Sequence, residues 1–140
     1  MEIQILLADD HEITRRRLTE LIQMHDGWEV CAAVEDGLEA VAKAEQLRPV
    51  IIILDLAMPR MDGLSVAREI KKIVPSTPIV LYTLHTVAVL DLEARKAGIR
   101  RVVSKPNTAE LVCAMEELLK DDGAKTEPRR WLIPLWHKPK

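Results

Sequence analysis

Five polar side chains that could carry out chemistry together stand at the ends of four apolar runs of strand length. They are three carboxylates, a hydroxyl and an ammonium, from Asp9, Asp10, Asp55, Thr83 and Lys105. If the four apolar runs are parallel strands, their carboxyl ends meet at one edge of one sheet, where open α/β sheets place their chemistry. The sequence therefore predicts one site that is built from these five side chains.

Three carboxylates at one sheet edge predict a bound cation. Two full charges about 5 Å apart repel each other by roughly 3 kcal/mol at an effective dielectric constant of about 20. Oxygen ligands favour Mg²⁺, and Mn²⁺ is expected to substitute for it. Such a cation would offset the negative charges of the carboxylates and of a phosphoryl group. One aspartate could then attack the phosphorus and form an acyl phosphate. Thr83 could donate a hydrogen bond to one phosphoryl oxygen, and Lys105 could form an ion pair with another.

Apolar runs of strand length alternate with amphipathic runs of helical length. The predicted strands cover residues 3–8, 28–34, 50–54, 79–83 and 101–104. The predicted helices cover about 13–25, 37–47, 63–74, 87–97 and 108–120. Strict alternation predicts an α/β fold with a doubly wound, five-stranded parallel sheet of the flavodoxin-like (βα)5 type. Its strand order 2-1-3-4-5 places the first and third strands side by side and so brings Asp9, Asp10 and Asp55 together.

Local signals mark the ends of several predicted helices. Asp36, Asp62 and Asn107 are predicted N-caps of the second, third and fifth helices, and a glutamate follows Asp36 and Asn107 three residues later, as in a capping box. Gly98 stands where the fourth helix would need a left-handed residue to end.

The chain resembles the receiver domain of bacterial two-component response regulators over residues 1–121. The matching residues are Asp9-Asp10, then Asp55 with Met58-Pro59 and Met61-Asp62-Gly63, then Thr83, and finally Lys105-Pro106. The segments most like the receivers of regulators with a LuxR-type helix-turn-helix are Asp9-Asp10-His11-Glu12 and Thr83-Leu84-His85.

The resemblance implies a phosphorylation-dependent signalling switch in which Asp55 is the phosphoacceptor. The donor would be a phosphohistidine on a histidine kinase or a phosphotransfer protein, and phosphorylation would change the binding of a downstream protein. The implied Mg²⁺ ligands are Asp10, Asp55, the backbone carbonyl of Ala57 and, through a water molecule, Asp9. Thr83 and Lys105 would hold the phosphoryl group. Such a domain catalyses only its own phosphorylation and dephosphorylation and is not a turnover enzyme.

The chain departs from the family pattern at two places. Val102 stands three residues before the lysine, where family members usually have a Tyr or Phe that couples to the threonine. Residues 122–140 form a basic tail with Trp and Pro, which is too short for a helix-turn-helix domain. The tail could be disordered, fold onto the domain, or dock on a partner or an anionic membrane surface. A homodimer through the fourth helix, fifth strand and fifth helix is compatible with the resemblance.

Charge and composition set further expectations. The net charge of −2 divides into +4 for residues 125–140 and −6 for the rest, so direct nucleic-acid binding is not expected. No apolar stretch reaches the roughly 18 residues of a membrane helix, and no secretory signal is evident. Cys31 and Cys113 are predicted to be buried free thiols, which indicates a reducing, cytoplasmic location.

Two other functions remain open at this point. A phosphatase of the haloacid dehalogenase type also uses a strand-end aspartate and Mg²⁺, but it needs a second Asp where Ala57 stands. The other is a receiver-like interaction module that keeps its acids without being phosphorylated.

The remaining polar residues are given surface or packing roles. His11 is predicted to be solvated, and His85 could influence the attack of water on a phosphorylated aspartate. His25 and His137 are predicted surface residues, residues 15–17 (three arginines) the outer face of the first helix, and Trp28 a packing residue.

Overall fold

The computed structural model describes residues 2–84 and 88–120. Within these ranges the strands are β1 (Ile3–Ala8), β2 (Trp28–Val34), β3 (Ile51–Leu54), β4 (Ile79–Thr83) and β5 (Arg101–Ser104). The helices are α1 (Glu12–Gln23), α2 (Gly37–Leu47), α3 (Gly63–Ile73), α4 (Ala88–Lys96) and α5 (Thr108–Lys120). The predictions for His85, His137 and the tail 122–140 lie outside the described residues.

The strands form one parallel sheet in the order β2-β1-β3-β4-β5, which confirms the predicted fold class and strand order. All four residues of β3 are apolar and buried, as expected of a central strand that has helices on both faces. The register pairs Ala8 with Leu54, so β1 and β3 end side by side. Thr83 pairs with Ser104 in the same way.

Alternate residues of each strand point to opposite faces of the sheet and build two separate cores. On one face the strands pack against α2, α3 and α4. On the other face they pack against α1 and α5. Trp28 is buried in this second core, as predicted. Neither core covers the carboxyl ends of the strands, where the loops with the polar side chains begin.

The predicted caps are confirmed. The carboxylates of Asp36 and Asp62 accept hydrogen bonds from the third backbone amide along, in each case at 2.9 Å. Asn107 accepts from the amide of Glu110 at 3.0 Å, and its own side-chain amide donates to the Glu110 carboxylate at 3.1 Å. Gly98 has φ +90°, in the left-handed region.

The predicted burial of both cysteines is wrong, although both are free thiols. Cys31 is only partly buried because it lies on β2, at the edge of the sheet. Cys113 is exposed on α5. It lies two residues after the buried Leu111, and two residues turn a side chain to the opposite side of a helix.

His25 is more than a surface residue. Its ring stacks on Trp28 with 3.6 Å between the ring centres, and its Nε2 forms a hydrogen bond with the carboxylate of Glu116 at 3.0 Å.

Among residues 2–84 and 88–120, no helix has both the length and the apolar character that a bilayer span requires.

Candidate functional site

Two carboxylates and an ammonium from three strand ends meet at the carboxyl edge of the sheet. The backbone amide of Asp55 donates to the carbonyl of Ala8 at 3.0 Å, so Asp55 lies beside the end of β1. The amide of Lys105 donates to the carbonyl of Thr83 at 2.9 Å, which places Lys105 beside the end of β4. The parallel ladders therefore continue into the loops and fix where these side chains begin. The Lys105–Pro106 peptide bond is cis.

The ammonium of Lys105 bridges the two buried carboxylates. Its Nζ lies 2.7 Å from Oδ2 of Asp9 and 3.1 Å from Oδ2 of Asp55. The exposed fractions of the three side chains are only 2 % for Asp9, 5 % for Asp55 and 8 % for Lys105. Charges so well removed from water interact strongly: the ammonium attracts both carboxylates, while the two carboxylates repel each other.

The surroundings shift the pKa values of two of these groups. Burial raises the pKa of Asp55 above its ordinary value, and the charge of Asp9 adds to this, while Lys105 opposes it. For Lys105, burial works against the charged form. The hydrogen bond to Asp9 and the negative charges of Asp55 and Asp9 outweigh it, so the pKa of Lys105 is raised. Lys105 therefore carries its positive charge at neutral pH.

A third carboxylate and an imidazole lie at the open side of this group. Nδ1 of His11 lies 3.2 Å from Oδ1 of Asp10 and 3.5 Å from Oδ1 of Asp9. Asp10 and His11 are more open to solvent, with side chains 33 % and 63 % exposed. The prediction of a solvated His11 is correct for its exposure, but the ring also contacts the acids.

The donor atoms of this acidic cluster, defined as Asp9, Asp10, His11 and Asp55, fit a metal ion. One ligand atom from each residue lies within 4.8 Å of all the others. Opposite ligands of a six-coordinate ion with bonds of about 2.1 Å are about 4.2 Å apart, so small side-chain adjustments suffice. Three carboxylates also supply the negative charge that a divalent ion needs. The cluster could therefore hold the predicted divalent cation.

Two other predicted site residues lie at this edge of the sheet. Thr83 ends β4 and is fully buried. Ala57 lies exposed in the loop that follows β3. Their contacts with a phosphoryl group and with a metal ion stay predictions.

Sequence reasoning missed Arg15, which lies behind the acidic cluster. One guanidinium nitrogen of Arg15 donates to the backbone carbonyl of Asp9 at 2.7 Å, and the other lies 3.9 Å from the carboxylate of Glu35. The prediction that all three arginines of residues 15–17 face outward is therefore wrong for Arg15, while the other two are exposed. The missed signal is the helical phase: Arg15 is three residues before the buried Leu18 and shares its side of α1.

The loop between β3 and α3 is packed tightly around Asp55. The amide of Gly63 donates to the carbonyl of Leu56 at 2.7 Å, and a β-carbon on Gly63 would collide with the carbonyl oxygen of Asp55. Glycine is therefore required at the entry to α3. The same loop is tied to the start of α2, because Arg60 forms an ion pair with Asp36 at 2.8 Å.

The sequence is similar to those of known proteins that contain a receiver domain. The sequence model of the response regulator receiver domain matches residues 5–116. A protein-glutamate methylesterase/protein-glutamine glutaminase 1 of Vibrio vulnificus is 42 % identical over 100 residues, which are 70 % of this chain and 26 % of that protein. The chain thus spans about a quarter of the length of this relative.

Two solved structures superpose well on the chain. A LuxR-family two-component response regulator from Aurantimonas has a TM-score of 0.81 and 32 % identity, with 86 % of each chain covered. The response regulator domain of Thermotoga maritima CheB has a TM-score of 0.79 and 26 % identity, with 91 % of this chain and 100 % of that chain covered. By sequence and by fold, the chain belongs to the response regulator receiver domain family, the phosphorylation-dependent signalling switches of two-component systems.

Proposed function

We propose that Asp55 accepts the phosphoryl group in this protein and that the acyl phosphate changes which proteins the domain binds. One observation carries the proposal: the buried carboxylates of Asp55 and Asp9 share the ammonium of Lys105 at 3.1 and 2.7 Å. Burying such a group costs free energy, so its position at the carboxyl edge of the sheet favours a functional role. Membership of this family does not favour the two alternatives, which are the phosphatase and the unphosphorylated interaction module.

The proposed reaction moves a phosphoryl group from a nitrogen to an oxygen. An oxygen of ionised Asp55 attacks the phosphorus of a phosphohistidine on a histidine kinase or a phosphotransfer protein. The new O–P bond forms as the P–N bond breaks, and the leaving imidazole takes up a proton. Lys105 then exchanges its contact with Asp55 for one phosphoryl oxygen, and the Thr83 hydroxyl donates to another.

The proposed metal ligands are Asp10, Asp55, the backbone carbonyl of Ala57 and, through a water molecule, Asp9. A Mg²⁺ ion bound there, or Mn²⁺ in its place, would offset the charges of the carboxylates and of the phosphoryl oxygens.

Phosphoryl transfer from a small donor tests the assignment of Asp55. We expect acetyl phosphate with Mg²⁺ to add one phosphoryl group to the full chain, as measured by intact mass. The Asp55→Asn variant should gain none. Asp62→Asn is the matched control, because Asp62 is a loop acid seven residues further on that caps α3. An equal gain in Asp55→Asn, or none in the natural chain, would refute the assignment.

Exposed apolar side chains beyond the site support a protein-binding surface on α4. Leu84 directly follows β4, and Val89 and Leu92 are three residues apart on α4; all three are exposed. Leu84 is also the neighbour of Thr83 in the chain, so movement of the threonine would shift the position of Leu84 directly. The downstream protein, or a second copy of the chain through α4, β5 and α5, is the proposed occupant.

Position 102 cannot report phosphorylation through rotation of an aromatic ring, because the residue there is Val102. Val102 is partly buried and packs against the core on the side of α2, α3 and α4. Tyr82 is buried in the other core, on the side of α1 and α5, and the centre of its ring lies 5.9 Å from Nζ of Lys105. We therefore propose that the Thr83–Leu84 backbone, and not ring rotation at position 102, transmits the change.

We also propose that the chain consists of a receiver unit followed by a separate C-terminal segment. Residues 1–121 would form the receiver unit, without substrate turnover, and residues 122–140 would be a separate basic segment that docks on a partner or a membrane surface. The cytoplasm is the proposed location, and direct nucleic-acid binding is not expected. Removal of residues 124–140 should leave phosphoryl acceptance unchanged but weaken binding to a partner or to anionic vesicles. Unchanged binding would remove the docking role.

A further inference from the structure

We propose that His11 is a nitrogen ligand of the metal ion at the acidic cluster and gives the site a selective affinity for metal ions that favour imidazole, such as Zn²⁺. The inference rests on the metal site of the proposed function and specifies its chemistry. It assigns His11 a role beyond that of a solvated side chain.

The separation of the donor atoms is already that of neighbouring ligands. Two donors at right angles on an ion with bonds of about 2.1 Å are about 3.0 Å apart. Nδ1 of His11 and Oδ1 of Asp10 are 3.2 Å apart. Nδ1 also lies 3.5 Å from Oδ1 of Asp9. An ion placed between Asp10 and Asp55 would therefore have the imidazole within reach, with only small side-chain movements.

The helix that starts at His11 does not use its ring. His11 is the N-cap of α1 with extended backbone, but its side chain makes no capping hydrogen bond. By contrast, Asp36 and Asp62 each use their carboxylates to cap α2 and α3. The backbone amide of His11 donates to Oδ1 of Asp9 at 2.9 Å, which fixes the residue beside the carboxylates. The ring is thus directed at the acids while the backbone starts the helix.

One imidazole among carboxylates changes the metal preference of the site. Mg²⁺ prefers oxygen ligands and keeps several of its waters, whereas imidazole suits Zn²⁺ and other transition metals. Loss of the ring should therefore weaken the binding of Zn²⁺ more than that of Mg²⁺.

Pulsed electron paramagnetic resonance with Mn²⁺ as the probe tests the ligand directly. We expect the full chain to show coupling of bound Mn²⁺ to an imidazole nitrogen, and ¹⁵N-labelled histidine should change the pattern. His11→Asn should abolish the coupling while preserving the helix, because Asn is a good N-cap. His85→Ala and His25→Ala are the controls and should retain it.

The outcomes separate this inference from the proposed function. Bound Mn²⁺ without nitrogen coupling, or coupling that disappears with His85→Ala and persists in His11→Asn, overturns the role of His11 and leaves the metal site intact. Failure of Mn²⁺ to bind, with Asp55→Asn behaving like the natural chain, overturns both.

Metal affinities provide an independent check. His11→Asn should lower the affinity for Zn²⁺ by roughly tenfold or more while changing that for Mg²⁺ far less. The titrations should use a Cys113→Ser background, because Cys113 is an exposed thiol that could bind Zn²⁺ by itself. An equal loss of affinity for both ions would overturn the selectivity.

Discussion

At the scale of the residue, the ionised carboxylate of Asp55 opposes folding. Its pKa is raised by burial, so the unfolded chain releases this proton at a lower pH than the folded chain does. The contribution of Asp55 to stability is therefore present below the unfolded pKa of about 3.9 and is lost as the pH rises through the higher folded value. The stabilising Lys105 contact offsets this loss only in part.

Asp55→Asn should therefore be more stable than the natural chain at pH 7 without metal, by on the order of 1 kcal/mol. The difference should shrink as the pH is lowered through the raised pKa of Asp55 towards 4. Thermal unfolding followed by circular dichroism in the presence of EDTA measures it. Asp62→Asn, at an exposed carboxylate, should show no such gain. A less stable Asp55→Asn at neutral pH would contradict the prediction.

Lys105 forms ion pairs with both buried carboxylates, so its removal should destabilise the fold, whereas removal of the Asp55 charge should stabilise it. Lys105→Gln leaves Asp9 and Asp55 without their shared cation, so the free energy of unfolding without metal should fall by about 3 kcal/mol. A divalent ion would then replace the missing charge, so saturating Mg²⁺ should raise the melting temperature more in the variant than in the natural chain. Lys72→Gln, on the surface of α3, is the matched control. An equal Mg²⁺ effect in both proteins would argue against charge replacement.

At the scale of the element, the start of α3 is fitted to the backbone of the site. Gly63→Ala would place a methyl group against the carbonyl oxygen of Asp55, and α3 would have to move away from the loop. We expect a loss of about 1–3 kcal/mol in the free energy of unfolding, together with slower phosphoryl acceptance. Urea denaturation and acetyl phosphate labelling measure the two effects. Ser65→Ala, in the same helical turn, should change neither strongly; a Gly63→Ala variant that behaves like it would disprove the required glycine.

At the scale of the whole molecule, the exposed apolar residues of α4 should decide what the phosphorylated domain binds. Acetyl phosphate with Mg²⁺ is expected to increase the mass of the natural chain in solution, as measured by light scattering, if this surface pairs with a second copy. Val89→Lys or Leu92→Lys should abolish the increase without reducing phosphoryl acceptance. Met24→Lys is the control, because Met24 is exposed and apolar but lies at the end of α1. No increase in mass in the natural chain, or one that persists in both α4 variants, would contradict the homodimer prediction.

The elements themselves were predictable because each has a strong local cause. The apolar runs and their alternation with amphipathic segments predict every strand and helix within a few residues, and the caps at Asp36, Asp62 and Asn107 are confirmed. The small errors fall at the ends. β3 begins at Ile51 and not at Val50, and α1 ends at Gln23 although the periodic pattern continues to His25. Ends depend on a few hydrogen bonds that the surrounding chain decides.

By itself the sequence determined the parallel sheet, its strand order and the edge where the acids gather. Periodicity and strand-end chemistry are properties of neighbouring residues, and the right-handed crossover allows few topologies. Only the tertiary structure decided the contacts of the site. Lys105 and Asp9 are 96 residues apart in the chain, yet their side chains meet at 2.7 Å. The contact of His11 with Asp10 likewise depends on loop geometry and side-chain rotation, which residue types and spacing do not encode. The inward side of Arg15 and the exposed side of Cys113, by contrast, follow from helical phase, and their spacing to Leu18 and Leu111 contains that signal.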